Sequence, residues 1–188
     1  MTQRGLFNEF PVLDVDDTIV LKEISADHVH DFYEYVRHPE VLPFILGAPE
    51  NLNEALSELN YWRQVFYSKQ SICWAIYDNE VGKMIGTCGF NSCSFIHRRA
   101  EISYELAYEY WNKSITTKIV KVLTEFAIKK MKMHRIFANL KVTNPASARV
   151  LEKNGFEREG MMRDFVIIGG EYHDSYMYAF IAGDEHGL

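Results

Sequence analysis

Two carboxylates on one short stretch are the residues of this chain best spaced for chemistry. In Ala100-Glu101-Ile102-Ser103-Tyr104-Glu105-Leu106-Ala107, the residues Ile102, Tyr104 and Leu106 alternate with Glu101, Ser103 and Glu105. A period of two predicts a β-strand and puts both carboxylates on one face. A carboxylate so placed can take a proton from a nucleophile directly or through water; the plain alternative is a solvated strand face. Cys73, Cys88 and Cys93 form no CxxC pair and no pattern with histidine. Each is read as a reduced thiol packed as a small hydrophobe, and no metal site is expected.

The elements that must position these groups follow from periodicity and punctuation. Thr18 to Lys22 is a β-branched run that reads as a strand. Ser25 offers an N-cap for a helix in which Val29, Phe32, Tyr33 and Val36 recur at helical spacing. His38-Pro39 stops it, because the residue before proline avoids the α conformation. Pro43, Gly47 and Pro49 mark a loop, after which Asn53 is a candidate cap for a second helix with Ala55, Leu56, Leu59, Trp62 and Phe66 on its apolar side. Ile72 to Tyr77 and Lys83 to Phe90 read as strands joined at Asp78-Asn79-Glu80, and Ala100 to Ala107 continues the meander.

From Thr116 to Met133, the residues Ile119, Val122, Leu123, Phe126, Ala127 and Met131 trace one face of a long helix. Only that helix separates the carboxylate strand from the next one, Arg135 to Val142, so a crossover joining parallel strands is predicted. Asn144-Pro145 opens a short helix that Asn154-Gly155 closes. Phe156 to Ile168 and Tyr172 to Ile181 then form a hairpin about Gly169-Gly170. The element order predicts a mixed α/β fold (α+β, one mixed sheet).

With 188 residues, 47% apolar and 24% charged, the chain can bury a sizeable core, and residues 1–188 are read as a single domain. A net charge of -6 argues against sequence-independent binding to DNA, which needs clustered Lys and Arg. No apolar run approaches the roughly 20 residues of a membrane span, and MTQRGLFNEF has no apolar core of signal-peptide length. A cytoplasmic protein with no membrane partner is expected.

Three segments, AEISYELAYEYW, RIFANLKVTNPASARVLEKNGFEREG and GGEYHDSYMYAF, together resemble the RimJ/RimL branch of the GNAT N-acetyltransferases. The most specific part is N-x-x-S, a short helix, then G-F and E-G. The opening strand, the HPEV segment and the strand ending in IGTCGF also fall where that branch has equivalents. The resemblance implies the GNAT acyl-CoA N-acyltransferase fold, with splayed central strands between which the pantetheine arm of the cofactor slots. It implies acetyl-CoA as co-substrate, no metal, and a primary amine as acceptor, often the α-amino group of a protein, including ribosomal proteins.

Site residues follow from the same resemblance. Leu106 and Ala107 would pair with the pantetheine. Trp111, Asn112, Lys113, Ser114, Ile115, Thr116 and Thr117 would form the pyrophosphate turn and helix N-terminus, where unpaired N–H groups and the helix dipole favour an anion. Asn144 and Ser147 would meet the arm or its sulfur, with Asn144 also suited to capping the helix. Glu101 or Glu105 would be the base. Ser147 would partner the thiolate, since Leu151 stands where many members have a tyrosine. A carboxylate that some members carry falls at Val166, with Asp164 the nearest acid. His173-Asp174 belongs to the G-x-Y-x-D of the last hairpin and is read as structural. Trp111, Tyr104, Tyr110, Tyr172, Tyr176 and Tyr178 are expected to be core or platform aromatics.

One segment departs from the pattern. Where the branch reads close to Y-W-G-K-G-I-A-T, this chain reads Tyr110-Trp111-Asn112-Lys113-Ser114-Ile115-Thr116-Thr117. Both glycines are absent, and glycine permits close approach and positive φ. Either the turn keeps its shape, with Ser114, Thr116 and Thr117 hydroxyls as added donors and Lys113 or Lys118 as added charge, or CoA binding is weakened and the chain is a catalytically silent GNAT-fold module. A small amine is the other acceptor left open. The oligomeric state is open too, a dimer included.

Overall fold

Helix caps show how local sequence sets the elements in this computed structural model, which describes residues 6–45 and 47–183. The Ser25 hydroxyl accepts from the Asp27 N–H, and His28 Nδ1 accepts from the Ser25 N–H, opening a helical turn that runs into α1 (Val29–Val36). The second helix, α2 (Leu52–Tyr67), is capped by Asn51 and not by Asn53. Asn51 is extended, its Oδ1 accepts from the N–H groups of Asn53 and Glu54, and the Glu54 carboxylate reaches back to the Asn51 amide and the Glu50 N–H. This reciprocal box satisfies donors that Asn53, already inside the first turn, cannot reach. The loop between the two helices contains a 3-10 turn at Leu42–Phe44.

The strands are β1 (Leu13–Asp14), β2 (Ile19–Glu23), β3 (Ile72–Asp78), β4 (Lys83–Ser94), β5 (Arg99–Leu106), β6 (Arg135–Lys141), β7 (Glu157–Ile168) and β8 (Glu171–Ile181). The long helix α3 spans Ile115–Lys129, and α4 spans Pro145–Lys153. The helical pattern in the sequence runs on to Met133, but Lys132 takes a left-handed φ of 61° and the Met133 N–H bonds the Ala127 carbonyl. The helix therefore ends early, while Met131 and Met133 still enter the core. β4 is longer than expected and carries a register shift between Phe90 and Ser92.

These strands form one sheet in the order β1-β2-β3-β4-β5-β6-β8-β7. Only β5 and β6 pair in parallel, as the single intervening helix predicts. On one face, Trp74, Ile76, Ile102 and Ile136 pack with Ile119, Leu123 and Phe126 of α3 and Leu151 of α4. On the other, Ala75 and Met84 pack with Phe32 and Val36 of α1 and Leu59 of α2. The alternation along β5 assigns Glu101, Ser103 and Glu105 to this second face.

Two aromatic expectations divide here. Tyr178 is buried and its phenol donates to Glu152, whereas Tyr172 is 65% exposed at the hairpin tip and is neither core nor covered platform. Asp174 Oδ1 accepts the N–H of Asp164, which has a φ of 50°, in the irregular part of β7. Asp174 thus shapes the hairpin.

Candidate active site

The ladder between β5 and β6 is only three residues long: Arg99, Ala100 and Glu101 face Arg135, Ile136 and Phe137. Beyond Glu101 the two strands part. On its other edge β5 stays paired with β4, and the Ala107 N–H donates to the Ile85 carbonyl at 2.8 Å. Because hydrogen-bonding groups alternate between the two edges of a strand, Tyr104 and Leu106 turn their backbone groups toward the opening. Gly86 allows this tight pairing: a Cβ there would lie 2.2 Å from the Glu105 carbonyl oxygen.

The opening is the waist of a cavity of about 860 Å³ that reaches both faces of the sheet. On the α3 and α4 face it is lined by Ser114, Thr116, Thr117, Asn144, Ser147 and Leu151, and on the other by Glu101, Glu105, Thr87, Cys73 and Trp62. Leu106, Trp111, Asn112 and Ile115 also line it. Ala107 and Lys113 do not. Ala107 is buried in the α1 and α2 core, and the Lys113 ammonium lies 5.1 Å from the Tyr110 ring centroid.

The glycine-free turn holds the geometry that glycine would supply. Asn112 has a φ of 59°, and Ser114 has a φ of 60° and a ψ of 10°. Both are left-handed at the two positions where the resemblance places glycine. Two anchors fix the turn: the Trp111 indole donates to the Leu106 carbonyl at 2.8 Å, and the Tyr110 phenol donates to Asp78 at 3.0 Å. The first helical bond of α3 runs from the Lys118 N–H to the Ser114 carbonyl, so the N–H groups of Ile115, Thr116 and Thr117 have no partner within the helix. Their donors and the helix dipole suit an anionic diphosphate. The Lys118 ammonium is turned away from the turn to Asp16 at 2.7 Å, which holds the Asp16 carboxyl down at about 2. It is not the added charge the sequence suggested.

The indole also occupies the carbonyl of Leu106, leaving the Leu106 N–H and the Tyr104 backbone to meet an extended amide-bearing arm. This free edge, the donor-rich turn and a cavity that passes through the sheet fit acetyl-CoA. Asn144 caps α4 by accepting the Ser147 N–H at 3.0 Å. The Tyr104 phenol donates to the Ser147 carbonyl at 3.4 Å, tying α4 across the opening, and Asn154 donates to the Thr117 carbonyl, tying it to α3. Leu151 is buried, and Val166, not Asp164, lines the cavity.

The two carboxylates lie on one face, as alternation predicts, but about 13 Å apart along the strand. Glu101 accepts from Asn139 Nδ2 at 2.9 Å at the point where the strands part, and burial raises its pKa against that bond. Burial pushes Glu105 up to about 7, helped by the charge of Glu58 on α2. The Thr87 hydroxyl donates to Glu105 over a long 3.4 Å, the Tyr35 phenol donates to Thr87 at 3.4 Å, and these two hydroxyls hold the carboxyl's pKa down only in part. A carboxyl with so little compensation releases its proton near neutral pH.

A family model for an acetyltransferase (GNAT) domain matches residues 18–157. The chain belongs to the GNAT acetyltransferase family. It is an N-acetyltransferase, and acetyl-CoA is the acetyl donor of that family. An uncharacterized N-acetyltransferase, YoaA of Bacillus subtilis (strain 168), is 28% identical over 92% of this chain and 97% of its own length. The ribosomal-protein-serine acetyltransferase of Escherichia coli (strain K12) is 22% identical over 89% of this chain and 94% of its own. The solved RimL ribosomal L7/L12 alpha-N-protein acetyltransferase in complex with coenzyme A has the same fold, with a TM-score of 0.83, 23% identity, and 91% of this chain and 98% of that one covered. No helix among the described residues is long and apolar enough to cross a membrane.

Sequence reasoning passed over Glu58, Thr87, Tyr35 and Asn139. The first three come from α2, β4 and α1, so only packing brings them to Glu105. Asn139 carried one signal: it falls on the face of Arg135 to Lys141 opposite the buried Ile136, Ala138 and Leu140.

Proposed function

We propose that residues 1–188 act as a single cytoplasmic GNAT domain that transfers an acetyl group directly to the α-amino group of a protein N-terminus, of the kind found on ribosomal proteins. One observation carries the reading: the opening between β5 and β6 passes through the sheet, with carboxylates on one face and Ser147 on the other. A thioester held in that waist has a proton acceptor on the side from which an amine enters and a hydroxyl on the side to which sulfur leaves. The ribosomal-protein specificity of the relatives supports the acceptor class.

The chain's own groups divide the work as follows. The free N–H groups of Ile115, Thr116 and Thr117 bind the diphosphate, with Asn112 and Ser114 shaping the approach. The open edge of β5 at Tyr104 and Leu106 aligns the arm. Acetyl-CoA supplies the activated thioester. Glu101, where the strands part, takes the amine proton, and Glu105 relays a proton through water from deeper in the same face. Ser147 Oγ donates to the departing sulfur.

The test is acetylation of a short peptide beginning with serine, followed by release of free thiol and by mass spectrometry of the modified amine, with spermidine run in parallel. Acetylation confined to the peptide α-amine is expected. Turnover of spermidine with no modification of the peptide would move the acceptor to small cationic amines. Absence of coenzyme A binding by calorimetry at millimolar ligand would defeat the reading of the turn.

A further inference from the structure

The Asn139 side chain is half satisfied. Its Nδ2 donates to Glu101 Oε1 at 2.9 Å, while its Oδ1 is buried and has no hydrogen-bond partner. Glu101 serves as a base only when ionised, and in that form it only accepts, so the amide presents its NH2 to Glu101 and the carbonyl is the end left over. Buried acceptors are rarely left unpaired, and the residue that carries this one lines the cavity beside the proposed base, two residues beyond the last β6 residue paired to β5.

Two donors can reach that waist, the arm of the cofactor and the incoming amine. An arm paired with the backbone edge of β5 would lie in the plane of the sheet. Asn139 stands off the sheet, because Ile136, Ala138 and Leu140 take the α3 face and Asn139 alternates to the face of Glu101. A side chain on that face meets what enters from that face.

We infer that Asn139 is an acceptor-binding residue: its Oδ1 accepts an N–H of the substrate's primary amine and holds that nitrogen against Glu101 Oε1. An ammonium satisfies both oxygens at once. When it loses a proton to Glu101, a remaining N–H keeps the bond to Asn139 and the lone pair is left free to attack. A quaternary or tertiary amine lacks the hydrogens to make both contacts. The inference rests on the reading of the Glu101 face as the acceptor side.

Two measurements test it separately from that reading. In the first, the side-chain amide resonances of Asn139 are followed by 1H–15N NMR in the coenzyme A-bound protein during titration with propylammonium or with tetramethylammonium, which carries no N–H. A saturable shift with propylammonium alone is expected; equal responses to both cations, or none to either, overturn the assignment. In the second, Asn139→Leu and Asn139→Asp are compared with the parent on the serine peptide and on propylamine. For whichever amine is turned over, Asn139→Leu should lower kcat/KM roughly 10- to 100-fold, since it removes the bond to the charged amine together with the Nδ2 bond that holds Glu101. Its coenzyme A affinity should stay within about twofold, and Asn139→Asp, which keeps an acceptor oxygen, should recover part of the loss. A matching loss of coenzyme A affinity would assign the oxygen to the arm. Failure of the serine peptide alone, with the NMR shift intact, refutes the N-terminal acceptor and not the role of Asn139.

Discussion

Replacing Glu105 by glutamine should stabilise this protein at pH 8 while impairing it as an enzyme. The parent carboxyl titrates at about 7 in the folded chain against an ordinary value of 4.5, mainly because burial disfavours its charge. At 1.36 kcal/mol per pH unit this corresponds to about 3 kcal/mol. The sign follows from proton uptake. Between pH 4.5 and 7 the folded chain holds the proton and the unfolded chain does not, so stability falls as pH rises through that window and levels off above it. Glutamine carries no charge and can donate to the Thr87 hydroxyl that now makes only a 3.4 Å contact with the carboxylate. Below pH 4.5 the two proteins should differ little. At pH 8 Glu105→Gln should be more stable by about 2 to 3 kcal/mol, or about 4 to 12 °C in Tm for a chain of this size. Urea unfolding at five or six pH values measures this directly. A difference that does not depend on pH, or a Glu105→Gln protein less stable at pH 8, would refute the burial of an uncompensated carboxyl. If the same variant also loses proton relay, its kcat at pH 8 falls while its stability rises, a pairing that a purely structural residue does not give.

Three further outcomes follow from the turn and the sheet. Ser114→Gly removes an exposed side chain without a capping bond and relieves a left-handed backbone. The relief of about 1 to 2 kcal/mol, less about 0.4 to 1 kcal/mol from the freer unfolded chain, should raise Tm by up to about 6 °C; Ser114→Ala, equally strained, should not, and equal Tm values for the two would contradict the strain. Gly86→Ala drives a Cβ to 2.2 Å from the Glu105 carbonyl oxygen, so a loss of about 3 kcal/mol is expected in thermal unfolding, and a neutral result would mean that β4 and β5 are not so closely paired. Trp111→Phe keeps a ring but releases the Leu106 carbonyl, and coenzyme A affinity measured by calorimetry should fall about 5- to 30-fold as the turn loses an anchor of about 1 to 2 kcal/mol. Unchanged affinity would show that Tyr110 and Asp78 suffice.

The sequence by itself determined the order of the elements from β2 onward, the faces and the family, because each is encoded over short stretches, whereas β1 (Leu13–Asp14) is too short to carry a pattern. The period of two in Ala100 to Leu106 set Glu101 and Glu105 on one face; Asn144-Pro145 and Asn154-Gly155 bounded α4; and the N-x-x-S to E-G segment pointed to a GNAT scaffold. What only tertiary structure decided depends on how separate stretches meet. Strand parting after Glu101 is a property of two strands paired across α3, Glu101 against Phe137 and so 36 residues apart in register (137 − 101). Lys118 met Asp16 across the molecule instead of the turn, since an ammonium on a long stem pairs with the nearest carboxylate. Asn112 and Ser114 took the left-handed backbone of glycine where Tyr110 and Trp111 anchor the chain entering the turn, which no local preference would have required. The unpaired oxygen of Asn139 exists only once Glu101 has claimed the other end of its amide.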